Sequence, residues 1–140
     1  MQVSVSGAAW PGTGVAYVKR VIGLPGDVVV YDRSSKRLTI NGKAANVQPL
    51  GAYTGNPGAD LVREAIGDRS HLQLLMRGRL SAGGTYTVPD GHFVLGDHRD
   101  NSRDSRLSGF EFIPVESIVG KVALVWWNTD DSKRAGIVPE

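Results

Sequence analysis

The sequence predicts a mainly β fold, and three observations carry that prediction. Apolar runs are short and rich in β-branched and aromatic residues, as at Val15 to Ile22, Val28 to Tyr31 and His92 to Leu95, and such runs suit strands better than helices. Turn signals separate them, at Trp10-Pro11-Gly12-Thr13-Gly14, Gly23-Leu24-Pro25-Gly26-Asp27 and Pro89-Asp90-Gly91. Asn41-Gly42 predicts a hairpin, because that pair supplies the two positive φ angles of a type I′ turn.

Taken in order, Met1 to Ser6 alternates weakly through Val3 and Val5 and reads as a frayed strand running into a loop. Val15 to Ile22 is a strand. Side chains alternate across it, so Val15, Tyr17, Lys19 and Val21 share one face while Ala16, Val18, Arg20 and Ile22 share the other. Both faces are otherwise apolar, which predicts a strand covered on both sides. Lys19 and Arg20 are then two adjacent charges in need of an account, since burying either without a partner is costly.

Val28 to Tyr31 and Arg37 to Ile40 follow as strands, the second entering the Asn41-Gly42 hairpin. From Ala44 to Gly84 the signal degrades. Gly51 to Gly58 reads as loop, Asp60 to Ile66 as a short helix or a strand, and His71 to Met76 as a strand. Strand signals return at Thr85 to Val88 and His92 to Leu95. After Phe110 to Ile113, Pro114 opens a single helical turn with Glu116 in it, and a long strand runs from Val119 to Trp127. Alternation turns one of Trp126 and Trp127 inward. The tail from Thr129 to Glu140 is polar, and no internal repeat is visible.

A chain of 140 residues supports one compact core with at most a satellite. Its formal charge of +2, from 16 bases and 14 acids spread without a cationic run, is too weak a signature for nucleic-acid binding. There is no cysteine, which excludes disulfides and thiolate metal sites, and the three histidines show no metal-ligand spacing. No stretch approaches the length of a membrane span, so the chain reads as soluble, with any membrane attachment lying outside it.

Chemistry concentrates in Gly96 to Arg106, directly after Phe93-Val94-Leu95. Asp97, Asp100 and Asp104 stand there among Arg99, Arg103 and Arg106, with Ser102, Ser105 and Asn101. Acid and base in such proximity neutralise one another, so Asp97, Asp104 and Arg106 are expected to hold the loop's shape as ion pairs. Either hydroxyl could orient an amine, or the segment could be an Asn/Ser turn closing on its own backbone.

Lys19 has two readings. Desolvation on an apolar strand lowers an amine's pKa, and a neutral amine is a competent general base for a serine hydroxyl. Alternatively Lys19 is structural, snorkelling to the sheet edge or pairing with Asp97, Asp100 or Asp104. Arg20 cannot shed its proton, so a buried pair with a loop carboxylate is its natural role.

Two stretches together carry a family resemblance. Tyr17-Val18-Lys19-Arg20-Val21-Ile22-Gly23-Leu24-Pro25-Gly26-Asp27 resembles the lysine box of bacterial type I signal peptidases, and Gly96 to Arg106 resembles their Gly-Asp-Asn-Arg-Asp-Asn-Ser-x-Asp-Ser-Arg box, in the same order. Glu64-Ala65-Ile66-Gly67, with His71 beyond, and the Gly120 to Trp127 strand resemble the proteobacterial members more loosely.

The resemblance implies that Lys19 is the general base of a serine-lysine dyad and that Ser102 orients its amine. Arg20 would pair with Asp97, and Asp104 with Arg106, as structural support. It implies an antiparallel β catalytic core of the kind shared with self-cleaving SOS-type repressors, here residues 1–31 with 85–140, and an inserted β region at 32–84. It also implies a serine endopeptidase that removes signal peptides from exported preproteins at the periplasmic face of the bacterial inner membrane. Neither metal nor other cofactor is needed, and no nucleic-acid partner is expected.

Two departures stand out. His98 occupies a position where the family usually has asparagine, placing a titratable group near the site. The family's nucleophilic serine lies in a Ser-Met-x-Pro-Thr segment, which is absent here; Ser4 and Ser6 have the wrong neighbours, so no nucleophile is nominated. The chain is therefore expected to be the carboxy-terminal part of such an enzyme and inactive alone. A different class of function, a non-catalytic β module that binds extended peptides along a strand edge, is the alternative.

Overall fold

The computed structural model describes residues 2–5, 16–110 and 112–124, the first of these segments as backbone only. Its strands are β1 (Gln2–Val5), β2 (Tyr17–Gly23), β3 (Val28–Tyr31), β4 (Leu38–Ile40), β5 (Lys43–Ala44), β6 (Asn46–Ala52), β7 (Ala59–Ile66), β8 (Arg69–Met76), β9 (Gly84–Thr87), β10 (Phe93–Leu95) and β11 (Ile118–Lys121). Two short 3-10 turns, Arg99–Asn101 and Val115–Ser117, are the helical elements among the described residues. The fold is mainly β, as the alternating runs predict.

Three antiparallel sheets form, in the orders β10-β2-β1-β11, β5-β4-β3-β9 and β6-β7-β8. The hairpin predicted at Asn41-Gly42 joins β4 to β5, with Ile40 opposite Lys43 and φ of 50° and 78° at the two turn residues. Asn41 also braces the preceding turn: its Oδ1 accepts from Val28 N at 2.8 Å, and its Nδ2 donates to Asp27 Oδ1 at 2.7 Å. Asp27 Oδ2 in turn accepts from Leu24 N at 2.8 Å. The Gly-Leu-Pro-Gly-Asp turn thus fixes the angle between β2 and β3. At Gly23 the sheets approach so closely that a Cβ there would lie 2.7 Å from Val29 Cγ2.

The main core gathers Ile22, Val29, Tyr31, Leu38, Val88, Phe93 and Leu95. A smaller cluster of Val94 and Ile113, with Tyr17, Val21, Phe110 and Ile118, lies on the other face of β2 and β10. Strand alternation explains the split: Phe93 and Leu95 point one way and Val94 the other. The expected double cover of β2 holds only toward its end, since Val18 is 52% exposed while Ile22 is buried.

The weak middle of the sequence folds as β6-β7-β8, which resolves Asp60 to Ile66 as strand rather than helix. β6, which the sequence did not signal and which runs into the expected loop only at Gly51 and Ala52, is an edge strand; Pro49 lies in it, next to a bulge before Gly51. An edge tolerates both residues, because a proline there withholds no donor that a neighbour needs. β4 and β5 lie within 32–84 in sequence, yet β4 pairs with β3. Pro114 precedes the turn at Val115–Ser117 rather than sitting in it. The end of the strand expected to Trp127, with Trp126 and Trp127 themselves, lies outside the described residues, as do Ser6, the Trp10 to Gly14 loop and the tail.

Candidate active site

β2 lies between β1 and β10, and the loop Gly96 to Arg106 leaves the end of β10 beside it. That adjacency carries Ser102 to Lys19: Nζ donates to Ser102 Oγ at 2.9 Å. The approach requires a glycine at position 96, where a Cβ would overlap the Ser102 side chain and come 3.4 Å from Lys19 Nζ. The Tyr17 ring lies on the same face of β2, 5.9 Å from Nζ.

The Lys19 pKa is lowered below the ordinary lysine value, chiefly by burial. The Asp104 charge opposes that shift, Arg106 adds to it and Asp97 opposes it. Burial prevails because the two carboxylates are already engaged by arginines. Asp97 forks onto Arg20, with Nε to Oδ1 at 2.9 Å and Nη2 to Oδ2 at 3.1 Å. Arg20 is 5% exposed and thereby gains the partner its burial demands. Asp104 receives Arg106 Nε and Nη2, both at 2.8 Å, and the Gly96 N–H at 3.1 Å.

The two loop hydroxyls have separate tasks. Ser102 meets the amine, whereas Ser105 clamps the loop to β10, its Oγ accepting from Val94 N at 2.9 Å and its N donating to Val94 O at 3.1 Å. His98 is partly buried in the backbone corner before Arg99, where its carbonyl accepts from Asn101 N at 3.0 Å.

Sequence reasoning missed a second set of buried charges under this loop. Arg99 is 1% exposed and reaches Glu64 with Nη1 to Oε1 at 3.3 Å and Nη2 to Oε2 at 2.5 Å. His71 Nε2 lies 3.2 Å from Glu64 Oε2 and 3.4 Å from Arg99 Nη2. Burial pushes the Glu64 carboxyl up, but the His71 hydrogen bond and the Arg99 charge outweigh it and hold it at about 2. Asp100 accepts from Lys36 Nζ at 2.7 Å, from Met76 N at 2.7 Å and from Ser81 Oγ. One signal for the Glu64–His71 contact was present in the sequence. Gly67-Asp68 is a glycine-first hairpin pair, and a two-residue turn there sets Glu64 opposite His71.

Each buried cation among the described residues therefore has its carboxylate: Arg20 with Asp97, Lys36 with Asp100, Arg99 with Glu64, Arg106 with Asp104. Among the described residues no three His, Cys, Asp or Glu side chains gather so as to hold a metal ion. No helix among them is long and apolar enough to cross a membrane. Chemically, the arrangement offers one desolvated amine oriented by one hydroxyl, in a frame of neutralised charges.

The chain matches the family model described as signal peptidase, peptidase S26, over residues 3–127. It is 43% identical over 133 residues to the signal peptidase I of Pseudomonas fluorescens, covering 85% of this chain and 46% of that protein. To the signal peptidase I of Pseudomonas aeruginosa it is 36% identical over 135 residues, covering 88% and 47%. To that of Haemophilus influenzae it is 32% identical over 142 residues, covering 84% and 40%. The chain spans about half the length of the curated relatives it matches. With a match running through both boxes and the sheets that join them, this chain belongs to the signal peptidase family, peptidase S26.

Proposed function

We propose that this chain carries the general-base half of a serine-lysine protease that removes signal peptides from exported preproteins. In this reading Lys19 takes the proton of a serine hydroxyl, the alkoxide attacks the scissile carbonyl, and the same amine activates the water that hydrolyses the acyl-enzyme. Ser102 orients the amine. Arg20 with Asp97, and Asp104 with Arg106, keep neighbouring charges paired, so that burial lowers the Lys19 pKa despite the two carboxylates.

The observation that carries the reading is the Lys19–Ser102 contact at 2.9 Å on an amine whose pKa burial lowers. The attacking serine is not assigned to any of these residues and would belong to a segment of the Ser-Met-x-Pro-Thr type. Cleavage at the outer face of the bacterial inner membrane, with a membrane anchor on that same segment, belongs to the same proposal. So does a division into a catalytic core and an inserted β region. The insertion is taken as residues 32–84, within which β4 pairs with β3 of the core.

A chimera tests the reading. The amino-terminal part of the Pseudomonas fluorescens relative, joined ahead of Gln2, is expected to cleave a signal-peptide substrate and to lose that activity in Lys19→Ala. A folded chimera that cleaves equally well with alanine at position 19 would remove Lys19 from the mechanism. Cleavage by the 140-residue chain itself would place the nucleophile among its own serines.

A further inference from the structure

We propose that Glu64 is a positioning residue for the Lys19–Ser102 pair, acting through Arg99, so that the β6-β7-β8 sheet sets where the catalytic loop sits. The inference rests on Lys19 being the general base and adds a residue, Glu64, that lies in neither sequence box. Glu64 is fully buried in β7, the central strand of that sheet, and His71 stands directly opposite it on β8. His71 holds one carboxylate oxygen from the side, leaving the carboxylate to receive both terminal nitrogens of Arg99.

Arg99 begins the 3-10 turn that Ser102 ends. Its guanidinium lies 5.8 Å from the Tyr31 ring, and that of Arg106 lies 4.8 Å from the same ring. Arg106 also donates to the Arg99 carbonyl, and its carboxylate partner Asp104 receives the Gly96 N–H. A displacement of Arg99 is therefore passed to both ends of the loop. Other attachments to β8 include Arg99 Nη2 within 3.4 Å of His71 Nε2, Leu74 N to Asp97 O at 2.8 Å and Met76 N to Asp100 Oδ2 at 2.7 Å. Among the contacts joining loop to sheet, Arg99 with Glu64 is the fully buried ion pair, and a buried guanidinium deprived of its carboxylate has to move or be hydrated.

The test is a titration of the Lys19 side chain in the 140-residue chain, followed by NMR of its ε-carbon, in wild type and in Glu64→Gln. Loss of position lets water reach Lys19, so its midpoint is expected to rise by about one pH unit, a tenfold fall in the neutral fraction at fixed pH. A direct electrostatic effect has the opposite sign, because removing a carboxylate lowers the midpoint of a nearby amine. A folded Glu64→Gln whose Lys19 midpoint is unchanged or lower overturns the inference, even when its unfolding temperature falls. Should Glu64→Gln not fold, His71→Gln is read in the same way, with a smaller rise expected. Glu64→Asp, which keeps the charge, is expected to recover part of the wild-type midpoint. A wild-type Lys19 that titrates like an exposed lysine counts instead against the general-base reading.

Discussion

Lys19 and Ser102 are 83 positions apart in the chain and 2.9 Å apart in space. The contact follows from sheet order: β2 and β10 are neighbours, with Arg20 opposite Leu95, so the loop leaving β10 folds back over the residue just before Arg20. The hydroxyl that reaches the amine is the one at the end of the 3-10 turn, and Gly96 keeps the space between them open.

Lys19 is expected to be the fastest-modified lysine among those described when the chain is treated briefly with an amine reagent near pH 8. Its lowered pKa leaves more neutral amine there than an ordinary lysine offers. Peptide mapping by mass spectrometry reads the order, and a Lys19 slower than Lys43 would contradict it. The linkage has a definite sign. Between the lowered folded pKa and the ordinary 10.5, the unfolded chain binds more protons at this residue, so stability rises with pH across that window.

Gly96→Ala is expected to push Ser102 off Lys19 and to cost about 1–3 kcal/mol, the range for overpacking a filled site. Urea unfolding measures the loss. The Lys19 titration in the same variant should shift toward the ordinary lysine value. Wild-type stability together with a wild-type titration would show that the space is not needed.

Asp97→Asn strips a buried guanidinium of its counter-charge. Breaking a buried pair costs about 3–5 kcal/mol, and the lower end applies because the Asp97 side chain is 31% exposed. Replacing both partners by apolar residues, as Arg20→Met with Asp97→Leu, should recover most of that loss. A double variant no more stable than Asp97→Asn would mean that the pair contributes more than mutual compensation.

Acid unfolding should report Glu64. Its carboxyl is held at about 2 in the folded chain against an ordinary 4.5. The contribution is complete above pH 4.5 and is lost as pH falls through 2, amounting to about 3 kcal/mol by linkage. Stability measured by urea unfolding at a series of pH values should fall less steeply over this interval in Glu64→Gln. Identical slopes in the two proteins would contradict the assignment.

The strands, the Asn41-Gly42 hairpin and the two family boxes were legible in the sequence, because each is written locally. Alternation of side chains defines a strand, and positive φ angles select the turn residues. The same local logic placed Lys19 and Arg20 on opposite faces of β2 and raised the question of their partners. It could not say which hydroxyl would meet the amine, since Ser102 and Ser105 differ only in which way the loop turns.

The middle of the chain was illegible for a related reason. Pro49 and Gly51 mask β6, and Glu64, His71 and Gln73 stand at buried positions where a strand pattern calls for apolar residues. Glu64 and His71 are buried against each other and against Arg99, which comes to Glu64 from a loop 35 positions away. The sequence by itself determined the β class, the turns and the identity of the candidate base. Only the tertiary structure decided the sheet order, the 2.9 Å geometry of the Lys19–Ser102 contact that the family resemblance implied, and the Glu64–Arg99 contact, because a buried charge finds its partner through long-range packing that no local pattern records.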